Sequence, residues 1–92
     1  MPKVNVIFQG IFKEITKKGE MIMEVKNGCT LRDLLLILAK TYGKDFNSII
    51  NPKTGEISDE VCVLLNGESM GKPDVILNDN DIVYIGILVT GG

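Results

Sequence analysis

Ninety-two residues, 45% of them hydrophobic, suit one domain whose core needs no metal or disulfide staple. The 10 basic and 12 acidic side chains give a formal net charge of −2. Lys17-Lys18 is the only adjacent basic pair, a poor footprint for nucleic acid, whose binding needs clustered cations to release counterions.

Two tyrosines and three phenylalanines leave little for a base-stacking platform. Cys29 and Cys62, with no CxxC pair and no histidine, offer neither a zinc ligand set nor a thioredoxin-like motif. They are expected to be separate thiols. The opening Met1-Pro2-Lys3-Val4-Asn5-Val6 lacks the apolar stretch of a signal peptide, and no segment approaches the ~20 apolar residues of a membrane span. A cytoplasmic location is expected.

The first strand is predicted over Val4–Gln9, where Val4, Val6 and Phe8 alternate with Asn5, Ile7 and Gln9. An irregular stretch through Phe12 and Thr16 leads to a turn at Lys18-Gly19-Glu20. Met21–Val25 reads as a second strand, antiparallel to the first, with Met21, Met23 and Val25 on one face. Asn27-Gly28 is expected to close that hairpin. A helix follows, with Thr30 as N-cap and Asp33 near its positive end. Leu31, Leu34, Leu35 and Leu38 form one apolar stripe, which Leu36, Ile37 and Ala39 widen. Tyr42-Gly43 stops it.

Asp45–Glu60 is the least regular segment, with a turn cluster at Asn51-Pro52-Lys53-Thr54-Gly55 flanked by Ile49, Ile50 and Ile57 as anchors. Val61–Leu65 is a short apolar run, expected to be covered on both sides or to lie at the sheet centre. Asn66-Gly67 suits a tight hairpin turn. Asp74–Leu77 leads to the turn Asn78-Asp79-Asn80-Asp81, and Ile82–Val89 is the last and most apolar strand. This order makes an α+β two-layer domain.

The sequence finishes Val89-Thr90-Gly91-Gly92. A Gly-Gly end has no Cβ atoms, so it enters narrow channels and presents an unhindered carboxylate. Four extended residues at ~3.3 Å each reach about 13 Å from the body. The bland alternative is a disordered terminus.

The strand Val4–Phe8, the helix opening Thr30-Leu31-Arg32-Asp33-Leu34, the run Val61-Cys62-Val63-Leu64-Leu65-Asn66-Gly67, the turn Asn78-Asp79-Asn80-Asp81-Ile82-Val83 and the finish Val89-Thr90-Gly91-Gly92 occur together in this order. In that set the chain resembles the MoaD/ThiS family: the small subunit of molybdopterin synthase, the thiamine sulfur carrier and related proteins. One departure is that the molybdopterin type usually carries two prolines before its Val-Thr/Ser-Gly-Gly ending, where this chain has Ile87-Leu88. The long Asp45–Glu60 segment resembles the larger molybdopterin-type members.

The resemblance implies a ubiquitin-like β-grasp fold over residues 1–92: a mixed sheet of about four to five strands on one main helix, with a flexible tail at about 89–92. It implies a sulfur carrier, not an enzyme, whose Gly92 carboxylate is adenylated and becomes a thiocarboxylate, with Val89, Thr90 and Gly91 as the partner-binding tail. The implied partners are a ubiquitin-activating-like adenylyltransferase and a sulfur-accepting enzyme such as the molybdopterin synthase large subunit, with no nucleic acid and no membrane. No cofactor or metal is expected on this chain, ATP being used by the activating partner. Molybdopterin or its tungsten analogue, thiamine, tRNA thiolation and cysteine synthesis are all open as destinations of the sulfur. A ubiquitin-like modifier conjugated through Gly92, or an interaction module with an inert tail, are the alternatives.

The remaining residues read as structural. Cys29 precedes the helix, where the dipole could activate its thiol, but small-residue packing is preferred. Cys62 is expected in the core. Asp79 and Asp81 lack the ligand set of an EF-hand and read as a turn. No GxGxxG or Walker pattern is present. Phe12, Tyr84 and Leu88 are candidates for an apolar outer face of the sheet where partners dock.

Overall fold

The computed structural model describes residues 1–87 apart from 48, 52 and 71. Its elements are β1 (Lys3–Phe8), α1 (Ile11–Thr16), β2 (Glu20–Glu24), α2 (Leu31–Tyr42) with a 3-10 turn over Gly43–Phe46, β3 (Val61–Leu65), β4 (Glu68–Ser69) and β5 (Ile82–Ile87). The sheet order is β2-β1-β5-β3-β4. β1 runs parallel to β5, and the other three pairs are antiparallel. The expected mixed sheet on one main helix is thus present, with β5 at its centre.

The period-two pattern places β1 as read: Val4, Val6 and Phe8 are fully buried. Across the strand pair Met21 and Met23 pack against the core and Val25 is buried within it. The stripe of α2 faces the same interior, with Leu31, Leu34, Leu35, Leu38 and Ala39 buried. Ile37 does not join it and is 46% exposed. The start of α2 is fixed by a reciprocal cap: the Asp33 N–H donates to Thr30 Oγ1 at 3.1 Å, and the Thr30 N–H donates to Asp33 Oδ2 at 3.0 Å. Two otherwise orphan donors are satisfied by one pair of residues. At the other end Gly43 takes φ +70°, which a residue with a Cβ adopts only at a cost.

Four expectations are corrected. The stretch through Phe12 and Thr16 is not irregular but helical, and α1 forms the connection within the β1–β2 hairpin. Phe12 and Thr16 lie one turn apart and both are buried, Thr16 Oγ1 donating to the Phe12 carbonyl at 2.9 Å. Asn27-Gly28 accordingly turns β2 into α2 and does not close the hairpin. β3 has strand neighbours on both edges but only one covered face: Val63 and Leu65 point inward, whereas Cys62 and Leu64 are half-buried on the other face. Cys62 is therefore not a core residue. The expected hairpin turn at Asn66-Gly67 is present, with Glu68–Ser69 returning after it as β4. Both turn residues have positive φ, as a two-residue hairpin needs.

The segment after α2 is irregular as expected, yet it supplies the centre of the core. Phe46 is fully buried, with its ring 6.0 Å from Phe8 in an edge arrangement, 5.5 Å from Phe12 and 5.0 Å from Tyr42. Ile49 and Ile50 are buried beside it, and Ile50 bridges to Ile57 across the turn.

Candidate functional site at the exit of the central strand

The expected site residues Val89, Thr90, Gly91 and Gly92, and Leu88 before them, lie outside the described residues. What the structure defines is the strand that leads to them. β5 is held on one edge by β1 from Asn5↔Ile82 to Phe8↔Ile85 and on the other by β3 from Leu65↔Val83 to Val61↔Ile87. Val83 and Ile85 are fully buried beneath it. β5 thus holds the central position in the sheet, and its last described residue, Ile87, lies opposite Val61 at the start of β3.

The register of β5 is set by polar side chains in the turns. Asn66 Oδ1 accepts from the Ile82 N–H at 2.8 Å, and Asn66 Nδ2 donates to Asp81 Oδ1 at 3.0 Å. The other oxygen of Asp81 accepts from the Asn78 N–H at 2.7 Å. Asp79 Oδ1 accepts from the Lys3 N–H at 2.8 Å. Both carboxylates are used on turn and strand ends, which supports the turn reading. Among the described residues no group of three His, Cys, Asp or Glu side chains could hold a metal. The bond from Asn66 to the start of β5 escaped the sequence reading, because a residue explained by its turn carries no sign of a partner 16 positions away.

The outer face of the sheet carries apolar rows. Ile7, Tyr84 and Leu64 are cross-strand neighbours in one row, and Ile22, Asn5 and Ile82 in another. In a third, toward the exit, Gly86 stands opposite Cys62. Ile22 and Ile82 are exposed, and Ile7, Tyr84, Leu64 and Cys62 are half-buried. Tyr84 is on this face as expected. Phe12 is not: it is 1% exposed, because α1 turns its ring onto Phe46.

Cys29 sits in the core as a packing residue. It is 8% exposed, and burial, with the nearby Asp33 carboxylate adding to it, pushes its thiol pKa up. The packing reading holds, and activation by the α2 N-terminus does not. Arg32, on the first turn of α2, pairs with Asp74 at 2.8 Å, and its backbone N–H donates to the Pro73 carbonyl. Its side chain also lies against Gly55, where an added Cβ would sit 2.7 Å from Arg32 Cδ. One side chain thereby ties the 73–75 segment and the Asn51–Gly55 turn to the helix.

No protein-family model and no curated protein matches the chain. Solved structures do. The putative molybdopterin converting factor, subunit 1 from Pyrococcus furiosus matches with a TM-score of 0.80 at 25% identity, over 97% of this chain and 100% of that one. This is the ubiquitin-like β-grasp fold.

Small archaeal modifier protein 1 from Methanosarcina acetivorans shares the β-grasp fold with a TM-score of 0.76 at 24% identity, over 100% of this chain and 98% of that one. A chain of the Amycolatopsis orientalis BexX/CysO complex does so with a TM-score of 0.71 at 22% identity, over 97% and 99%. The resemblance to MoaD/ThiS carriers therefore extends from scattered motifs to the whole β-grasp frame. Among the described residues no helix of this β-grasp protein is long and apolar enough to cross a membrane.

Proposed function

We propose that this protein is a sulfur carrier whose working group is the Gly92 carboxylate. The observation that carries the reading is the central place of β5, whose last described residue, Ile87, lies five positions before Gly92 in a Gly-Gly finish. A central strand leads into the tail, and a Gly-Gly end without Cβ atoms enters another protein's channel. The β-grasp likeness to a molybdopterin converting factor subunit supports the same reading.

The chemistry follows from the poor reactivity of a carboxylate as an acyl donor. An adenylyltransferase resembling ubiquitin-activating enzymes positions the Gly92 carboxylate against the α-phosphate of ATP. A carboxylate oxygen attacks phosphorus, pyrophosphate leaves, and a mixed anhydride forms. Sulfide then attacks the carbonyl carbon and expels AMP. A persulfide attacks in the same way to give an acyl disulfide, whose S–S bond a second thiol cleaves to leave the thiocarboxylate and a new disulfide. The resulting thiocarboxylate is a soft nucleophile for a sulfur-accepting enzyme. This chain supplies neither acid nor base nor metal, and acts as the substrate or small subunit of its partners. Use of ATP by the activating partner supports a cytoplasmic cycle.

Docking is by the outer face. Tyr84 and its row neighbours Ile7 and Leu64 present partly open apolar surface beside the strand that leads into the tail. Molybdopterin synthesis is the favoured destination, with the synthase large subunit as acceptor, on the strength of the Pyrococcus likeness. The likeness to a small archaeal modifier protein favours a second reading, conjugation of Gly92 to a lysine.

Intact mass after incubation with ATP, the activating enzyme and sulfide tests both. Exchange of one oxygen for sulfur at Gly92 is the expected result. Lysine conjugates in cell extract without that exchange transfer the case to the modifier, and an unchanged mass with no conjugates removes both.

A further inference from the structure

β2 is an edge strand, and its edge is open in a specific way. The Val25 N–H donates to the Pro2 carbonyl and the Phe8 N–H donates to the Gly19 carbonyl, so the odd-numbered residues of this strand bond to β1. An antiparallel ladder alternates. The backbone N–H and C=O groups of Glu20, Ile22 and Glu24 therefore point away from β1, to the side where, among the described residues, the sheet has no further strand. The side chains of the same three residues are exposed, Ile22 at 68%.

Edge strands in proteins are commonly protected by lysine, proline or a covering loop. Here the edge presents an exposed isoleucine flanked symmetrically by two glutamates. Among the described residues neither glutamate forms an ion pair, although Lys3 lies opposite Glu24 on β1. We propose that the β2 edge is a strand-addition site for an extended segment of a partner protein carrying a basic–x–apolar–x–basic pattern. Added residues opposite Glu20, Ile22 and Glu24 lie on one face of the sheet, so their side chains meet these three directly. A basic residue meets each glutamate and an apolar one meets Ile22, while the backbones complete the ladder.

The same symmetry argues against a second copy of this chain as occupant. Antiparallel pairing of two β2 strands about Ile22 sets each Glu20 against a Glu24 of the other copy, two like-charge contacts that oppose association. The site stands on β2 alone, whichever chemistry the tail performs.

The test uses the full chain and a capped peptide of sequence Thr-Lys-Thr-Val-Thr-Lys-Thr, followed by amide NMR. Saturable shifts centred on Glu20, Ile22 and Glu24 are expected, and a matched peptide with glutamate in place of lysine should bind at least about tenfold more weakly, the loss of two favourable cross-strand pairs. The double variant Glu20→Lys/Glu24→Lys should reverse the preference. Should that variant fold poorly, backbone N-methylation of the peptide on wild-type protein serves instead. Methylating the valine or the neighbouring threonine removes donors on opposite edges, so one methylated peptide should lose binding by about two- to tenfold, the worth of one hydrogen bond, and the other keep it. Equal binding of lysine and glutamate peptides, indifference to both methylations, shifts on another face, or β2–β2 dimers of the wild type would overturn the proposal.

Discussion

The ring of Tyr84 lies across Gly86, two residues further along the same face of β5. A Cβ added at Gly86 would come within 3.0 Å of both Tyr84 Cε1 and Tyr84 Oη. Glycine is needed there for the close approach of the ring and not for its backbone angles. Gly86→Ala should push the ring off the strand at a cost of about 1 kcal/mol or less, since the far end of a side chain can move. The tyrosine ring signals should shift clearly while the melting temperature falls by no more than about 4–8 °C. Unchanged Tyr84 signals would show that the ring does not rest on Gly86, and partner docking through the outer face should weaken in the same variant.

Shortening the tail isolates its carboxylate from the fold. Removing Gly92 withdraws the end by one residue, ~3.3 Å, comparable to the roughly 3–3.5 Å at which reacting atoms must meet. ATP–pyrophosphate exchange with the cognate activating enzyme should be largely abolished. Extension by one residue should fail as well, and both variants should melt with the wild type. Normal exchange by either would remove Gly92 as the working group.

Gly55 is the converse case to Gly86, since both its φ of +77° and its neighbour exclude a side chain. Gly55→Ala should cost at least about 1 kcal/mol from the left-handed backbone, plus the displacement of Arg32. Arg32→Ala alone should destabilise through lost packing of its stem and the pair with Asp74. In a double-mutant cycle by urea denaturation, Gly55→Ala should cost less in the Arg32→Ala background. Strict additivity would mean that the two residues do not press on each other.

The two thiols should behave differently. Cys62, half-buried on the outer face, should be alkylated in the native protein well before Cys29, which is 8% exposed. Because the folded pKa of Cys29 is raised above the ordinary value of 9.0, the folded protein keeps this proton after the unfolded chain has lost it. Its contribution is fully present below that value and is lost as pH rises through the folded pKa. Urea midpoints should fall on alkalinisation, less so in Cys29→Ala. An equal fall in both proteins would exclude the thiol as a source.

Elements with a repeating signal were legible in the sequence. Val4, Val6 and Phe8 carry a strand period, and Leu31 to Leu38 a helical one, capped at Thr30 as the residue types indicate. α1 was missed because six residues give Phe12 and Thr16 only one turn of spacing, too little to separate helix from loop. Phe46 was missed as a core centre because nothing around it repeats; its place is decided by Phe8, Phe12 and Tyr42, which converge only in three dimensions. The face of β3 was misread for a related reason. Val61–Leu65 is apolar at every position, so the sequence could not say that Cys62 and Leu64 point outward. At the site, the place of Tyr84 on the outer face was readable from residue type and order. The hold of Asn66 on Ile82 and the resting place of the Tyr84 ring depend on register, which composition does not record.

The parallel pairing of β1 with β5 has a mechanical consequence. The two strands lie side by side and point the same way, one near the amino end of the chain and the other leading to the tail. Tension applied between Met1 and the tail drags these strands lengthwise past each other in opposite directions. The hydrogen bonds joining them then lie across the load and share it, instead of parting one at a time as in an unzipping hairpin. A partner that grips the tail and draws it into a channel pulls along the line in which this sheet resists shear. Single-molecule stretching through the two termini should show one abrupt yield, and anchoring at the β3–β4 hairpin instead should lower the yielding force.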